Sequence, residues 1–125
     1  QVATNNGQLN QPIIRGWLQK RSRHMKQWRK RWVVLEEFAI YTFKTDTNQI
    51  SQATEIIDLH TAIYIKPLND IEPNHSTKMP SDLSHCFEIY CTNVTFIFNA
   101  ETKKEMNLWI KYIERQLFKT YLDTN

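Results

Sequence analysis

The sequence changes period once, near Ala100, and that change restricts the fold more than any other feature of it. Before that point, short segments separated by turn residues alternate at the two-residue period of a strand. They are Ile13–Lys20, Trp28–Glu36, Ala39–Thr45, Glu55–Leu59, Ala62–Lys66, Cys86–Cys91 and Val94–Asn99. After it, Met106, Trp109, Ile110, Ile113 and Leu117 recur at helical spacing and make a single apolar stripe. Thr102-Lys-Lys-Glu105 has the form of a capping box, which satisfies free N–H groups at a helix start. A helix is therefore predicted over Lys103–Phe118. Seven strands and then one helix imply an antiparallel α+β domain, mainly β, rather than a βαβ sheet. Laid across an open end of a strongly bent sheet, the helix would bury its stripe and cover exposed edges.

The segments between these elements are of two kinds. Asp46–Ala53 reads as an ordinary loop, and Thr92-Asn93 as the turn of a hairpin. Pro67–Ser84 is the longest breaker-rich stretch, with Pro67, Pro73 and Pro80, and its length suggests a functional or mobile loop. Gln1–Pro12 is polar, without periodicity, and reads as a loose tail. The expected organisation is a tail over residues 1–12, one domain over 13–119 and a second tail over 120–125. A chain of 125 residues is long enough for one hydrophobic core. It starts without Met and so reads as a piece of a longer protein.

Charge is distributed unevenly. From Arg15 to Trp32 the chain carries eight Lys or Arg (Arg15, Lys20, Arg21, Arg23, Lys26, Arg29, Lys30, Arg31) and no Asp or Glu. The net charge of +3 thus hides one basic pole against a remainder of −5. Such a pole attracts phosphate, nucleic acid or an acidic membrane. The strand alternation sharpens the point. Ile14, Gly16, Leu18 and Lys20 share one face of the first strand, and Arg29, Arg31, Val33 and Leu35 one face of the second. Where an inward apolar row turns cationic, the core has reached its mouth. Charges there are too costly to bury unpaired, so an anionic partner is expected. The Arg forks match phosphate oxygens, and Lys20 adds a point charge.

The blocks G-W-L-Q-K (16–20), W-R-K-R-W-V-V-L (28–35) and A-E-T-K-K-E-M-N-L-W (100–109) together resemble a pleckstrin homology (PH) domain over about Ile13 to Leu117. The first block is similar to that of phosphoinositide-binding members such as those of protein kinase B and the cytohesins. The resemblance implies a seven-stranded antiparallel β-sandwich or barrel, capped at one end by a C-terminal helix. It also implies a head-group site at the other end, between the first two strands and their loop. Lys20, Arg29 and Arg31 match the family's lipid-binding signature. Arg21, Arg23 and Lys26, with His24 and Met25, fall in the loop that wraps the head group and faces the bilayer. Thr42 falls where several members place a phosphate-contacting Tyr. The implied function is non-catalytic membrane targeting by a cytoplasmic domain, a monomer in isolation, recruited to the inner face of the plasma membrane or another cytosolic leaflet. A protein-interaction module, binding a peptide or a small GTPase and only weakly attracted to anionic lipid, is the alternative.

Other classes find less support. No nucleophile–base pair, Walker loop or acid/base pair stands out, so no enzyme and no cofactor are expected. His24, His60, His75 and His85 lack metal-ligand spacing. Trp17, Trp28, Trp32 and Trp109 read as packing residues, and nucleic acid is not the expected partner. Cys86 and Cys91 lie roughly 16 Å apart if one strand holds both, too far for a disulfide. Two unpaired thiols fit a reducing compartment. No apolar run reaches the roughly 18 residues of a membrane span, and the N-terminus does not look like a signal peptide.

Overall fold

The computed structural model describes residues 7–22, 27–68 and 85–123. Seven strands appear in the expected order: β1 (Ile14–Arg21), β2 (Trp28–Leu35), β3 (Ala39–Phe43), β4 (Glu55–Asp58), β5 (Ala62–Pro67), β6 (Cys86–Cys91) and β7 (Thr95–Asn99). One helix, α1 (Lys103–Asp123), follows them. Strand neighbours run β4-β3-β2-β1-β7-β6-β5, all antiparallel. The sheet is thus a meander on each side of the β1–β7 junction, which joins first strand to last.

The core is what the alternation dictates. Leu18, Val33, Leu35, Ile40, Ile57, Ile65, Phe87, Ile89, Phe96 and Phe98 point inward and pack with Met106, Trp109 and Ile113 of α1. The inner row of the β1–β2 pair reads Ile14 opposite Leu35, Gly16 opposite Val33, Leu18 opposite Arg31 and Lys20 opposite Arg29. The Trp109 ring covers Gly16, where even a Cβ would sit 3.8 Å from it. The helix therefore closes the end of the row at which β1 begins. Lys20, four residues on, is roughly 13 Å away at the opposite end.

At the start of α1, Thr102 Oγ1 accepts the Glu105 N–H at 3.1 Å. Its hydroxyl then donates at 3.4 Å to the Glu105 carboxylate, which does not reach back to the Thr102 backbone as a full capping box would. The helix runs to Asp123, past the predicted end at Phe118 and through most of the predicted tail. Two polar residues extend its buried side. Gln116 is buried and donates through Nε2 to the Glu37 carbonyl at 2.6 Å, tying the helix to the β2–β3 turn. Thr120 is buried with its hydroxyl on the Leu117 carbonyl. A hydropathy pattern registers neither.

The predicted N-terminal tail also differs. Gly7–Pro12 is not loose. Leu9 is only 3% exposed and packs with Val34 and Phe43 in a small second core. Its N–H donates to Asn48 O at 2.8 Å, Ile50 N–H donates to Gly7 O, and Gln8 bridges Gln49. Gly7 takes a φ of +74°, a left-handed turn that glycine adopts without cost. Both cysteines are buried and neither forms a disulfide, as their separation required.

Candidate functional site

The cations of the inner row are brought together as the alternation predicts. The β1–β2 register places Lys20 directly across from Arg29 and Leu18 across from Arg31. All three cations therefore stand on one face at one end of the hairpin, on neighbouring strands about 4.8 Å apart. Ser22 N–H donates to Gln27 O at 2.7 Å and closes the base of the loop beyond them. Arg29 reaches Gln27 Oε1 at 3.2 Å and Arg31 reaches the Lys30 carbonyl at 3.0 Å. Partial burial and then the like charge of Arg29 push the Arg31 pKa down. Among the described residues no carboxylate pairs with Arg31. Two guanidinium groups that disfavour one another are held on one wall.

Lys20 differs from the expectation of three cations awaiting an outside anion. It is 9% exposed, with Nζ 2.5 Å from Glu55 Oε1 and 5.6 Å from the centre of the Phe96 ring. The chain already supplies its counter-ion. Glu55 shares the inner face of β4 with Ile57, so its position obeys the same period that placed Lys20. That alternation was the one signal from which Glu55 could have been found.

Thr42 does lie on the inner face, opposite Val33, with Tyr41 on the outer side. As a ligand contact it is corrected. Its side chain is 0% exposed and its hydroxyl is 2.7 Å from that of Thr54. The Thr54 N–H and hydroxyl also both donate to the Thr42 carbonyl, at 2.7 and 3.0 Å. Thr42 props the β3–β4 corner that carries Glu55. Arg21 falls on the other face of β1, opposite Trp28, with a buried Nε that makes no hydrogen bond. Arg23 and Lys26 lie outside the described residues, as do His24 and Met25.

The outer face of the hairpin is aromatic. Trp17 and Trp32 meet edge to face at 5.2 Å, and Lys30 Nζ stands 4.6 Å from the centre of the Trp17 ring. A depression of about 400 Å³ beside them is lined by Trp17, Gln19, Lys30, Asn99 and Glu101. With Glu101 in its wall, it presents both signs of charge. The described residues hold no cluster of three metal-ligating side chains, and no helix among them is long and apolar enough to cross a membrane.

Comparison with known proteins agrees with this fold. The family model for the PH domain matches residues 12–118. The chain belongs to the PH domain family. PH domains are generally non-catalytic binding modules. A curated relative, mouse pleckstrin homology domain-containing family A member 7, is 26% identical over 116 residues, covering 82% of this chain and 10% of that protein. The chain spans between about a tenth and a fifth of the first curated relatives it matches. The C-terminal PH domain of pleckstrin, solved with D-myo-Ins(1,2,3,4,5)P5, superposes with a TM-score of 0.64 at 20% identity, covering 84% of this chain and 97% of that one. The Slm1 PH domain, solved with inositol-4-phosphate, gives 0.66 at 16% identity and coverages of 87% and 98%. At those identities the likeness is one of fold.

Proposed function

We propose that this PH domain binds the phosphorylated inositol head group of phosphoinositides and so tethers the protein that contains it to a cytosolic leaflet, such as the inner face of the plasma membrane. The observation that carries this reading is the register of β1 on β2. It ends an apolar inner row in Arg31, Arg29 and Lys20, at the opposite end from the helix plug. A phosphate there finds two guanidinium forks on one strand and an ammonium on the next. The solved PH domains of pleckstrin and Slm1, both similar in fold, hold inositol phosphates.

Arg31 and Arg29 are the principal contacts in this reading, and Lys20 is reached only in competition with Glu55. Arg21, Arg23 and Lys26 supply positive charge to the loop side, where each basic residue near an anionic leaflet adds on the order of 1 kcal/mol. Thr42 serves from beneath, through the β3–β4 corner.

Sedimentation with phosphatidylcholine vesicles carrying single phosphoinositides tests the reading. Removing one partner of a close charge pair typically costs about 2–5 kcal/mol. Arg31→Ala is therefore expected to weaken binding at least about thirtyfold while leaving the melting temperature nearly unchanged. Equal binding of wild type and Arg31→Ala to every anionic vesicle would defeat it.

A further inference from the structure

The Lys20–Glu55 contact joins strands that are not neighbours. In the sheet order β4-β3-β2-β1, Glu55 stands three strands from Lys20. In a flat sheet three spacings would separate them by roughly 14 Å. Their 2.5 Å contact exists because the sheet curls until its inner faces meet, so the ion pair spans the concave mouth. Both side chains are shielded, at 11% and 15% exposure. Neither end is loose. Glu55 follows Thr54, which is bound to Thr42 by a backbone and two hydroxyl hydrogen bonds. Lys20 is held against the Phe96 ring on the other side.

We propose that Glu55 is a specificity-determining residue of this mouth, a built-in counter-ion that flattens the response to added phosphates. The inference rests on the phosphoinositide reading above. A first phosphate is drawn to Arg31 and Arg29, the two cations of the strand beside Lys20. Any further phosphate reaching toward Lys20 meets a negative charge already seated there, and must displace it or lie beside it. Juxtaposed like charges at an interface are strongly unfavourable, and the penalty grows with the charge brought to that end. The wild-type domain thus rewards the first phosphate and gains little from the next.

The test uses the 125-residue chain and phosphatidylcholine vesicles containing a mono-, bis- or trisphosphorylated phosphoinositide, with phosphatidylserine vesicles as control. Glu55→Gln is expected to tighten binding about tenfold or more for the trisphosphate and less than about threefold for the monophosphate. In a double-mutant cycle, Lys20→Met is expected to weaken wild-type binding, because it leaves the Glu55 carboxylate unpaired at the mouth, and to abolish the gain in Glu55→Gln. Glu55→Asp retracts the carboxylate by one methylene and is expected to shift binding the same way by less. It serves if Glu55→Gln fails to fold. Soluble inositol hexakisphosphate, read by thermal shift, separates head-group recognition from attraction to a lipid surface, and is expected to stabilise Glu55→Gln more than wild type.

A folded Glu55→Gln that binds no tighter than wild type overturns the inference. So does a gain equal for all three lipids, or one that survives Lys20→Met. In each of those cases the Arg31→Ala loss still stands and the phosphoinositide reading is untouched. If instead no variant prefers phosphoinositide over phosphatidylserine, that reading fails and the inference falls with it.

Discussion

Glu36 is one of two described residues with a buried side-chain polar atom that has no hydrogen-bond partner, the other being Arg21. It is 0% exposed, its Oε1 has no hydrogen-bond partner, and its Oε2 accepts only the Gln11 N–H at 3.3 Å. Burial raises its pKa, the Gln11 hydrogen bond opposes that shift, and its charge helps raise the pKa of Tyr41. A carboxyl whose pKa is raised on folding holds its proton more tightly in the native state. Its stabilising contribution is complete below the unfolded pKa and is lost as pH rises through the folded one. Glu36→Gln stays neutral throughout. It is expected to be more stable than wild type by about 1 kcal/mol at neutral pH. The difference should close on acidification, as urea unfolding over a pH series would show. At this scale the sequence was readable only in part. Lys20, Arg29 and Arg31 were placed on one face by alternation alone, and the structure keeps them there. Glu36 and the Lys20–Glu55 pair were missed because each depends on a contact more than twenty residues away: alternation puts Glu55 on the inner face of β4 but does not name its partner.

Among the elements, the strands with strong alternation were the most legible, and β6 matches its predicted bounds. β3 stops at Phe43, two residues short of the expectation, because Lys44 and Thr45 lie beyond the last rung shared with β2. The N-terminal arm was unreadable for a different reason. Its one buried apolar side chain among the described residues is Leu9, and it takes its order from backbone bonds to Asn48 and Gly7–Ile50 contacts some forty residues on. Leu9→Ala tests whether that arm belongs to the folded unit. Truncating a buried Leu costs about 2–5 kcal/mol, whereas in a loose tail it would cost nothing. Denaturant unfolding should therefore show a clear loss of stability, with head-group binding retained by the protein that remains folded.

Over the whole molecule, plug and mouth divide the labour. Apolar closure by α1 is gathered at one end of the β1 row and cationic residues at the other, so the basic pole seen in the sequence becomes a directed field. The proposed function implies two kinds of membrane attraction, which salt separates. The Debye length falls from about 10 Å at 0.1 M to about 3 Å at 1 M, which screens exposed loop charges far more than a phosphate held between guanidinium groups. Binding to vesicles containing only phosphatidylserine is expected to vanish across that range, and binding to phosphoinositide vesicles to persist in part. Sedimentation at a series of salt concentrations reads both.

The two thiols add a consequence of their own. Cys86 and Cys91 terminate the same strand at opposite ends, each sealed from solvent, and burial raises the Cys91 pKa further from its reactive form. An alkylating reagent meets neither until β6 parts from its neighbours. The domain thus carries a native chemical clock for the opening of its barrel, installed at both ends of one strand and silent while the fold is intact.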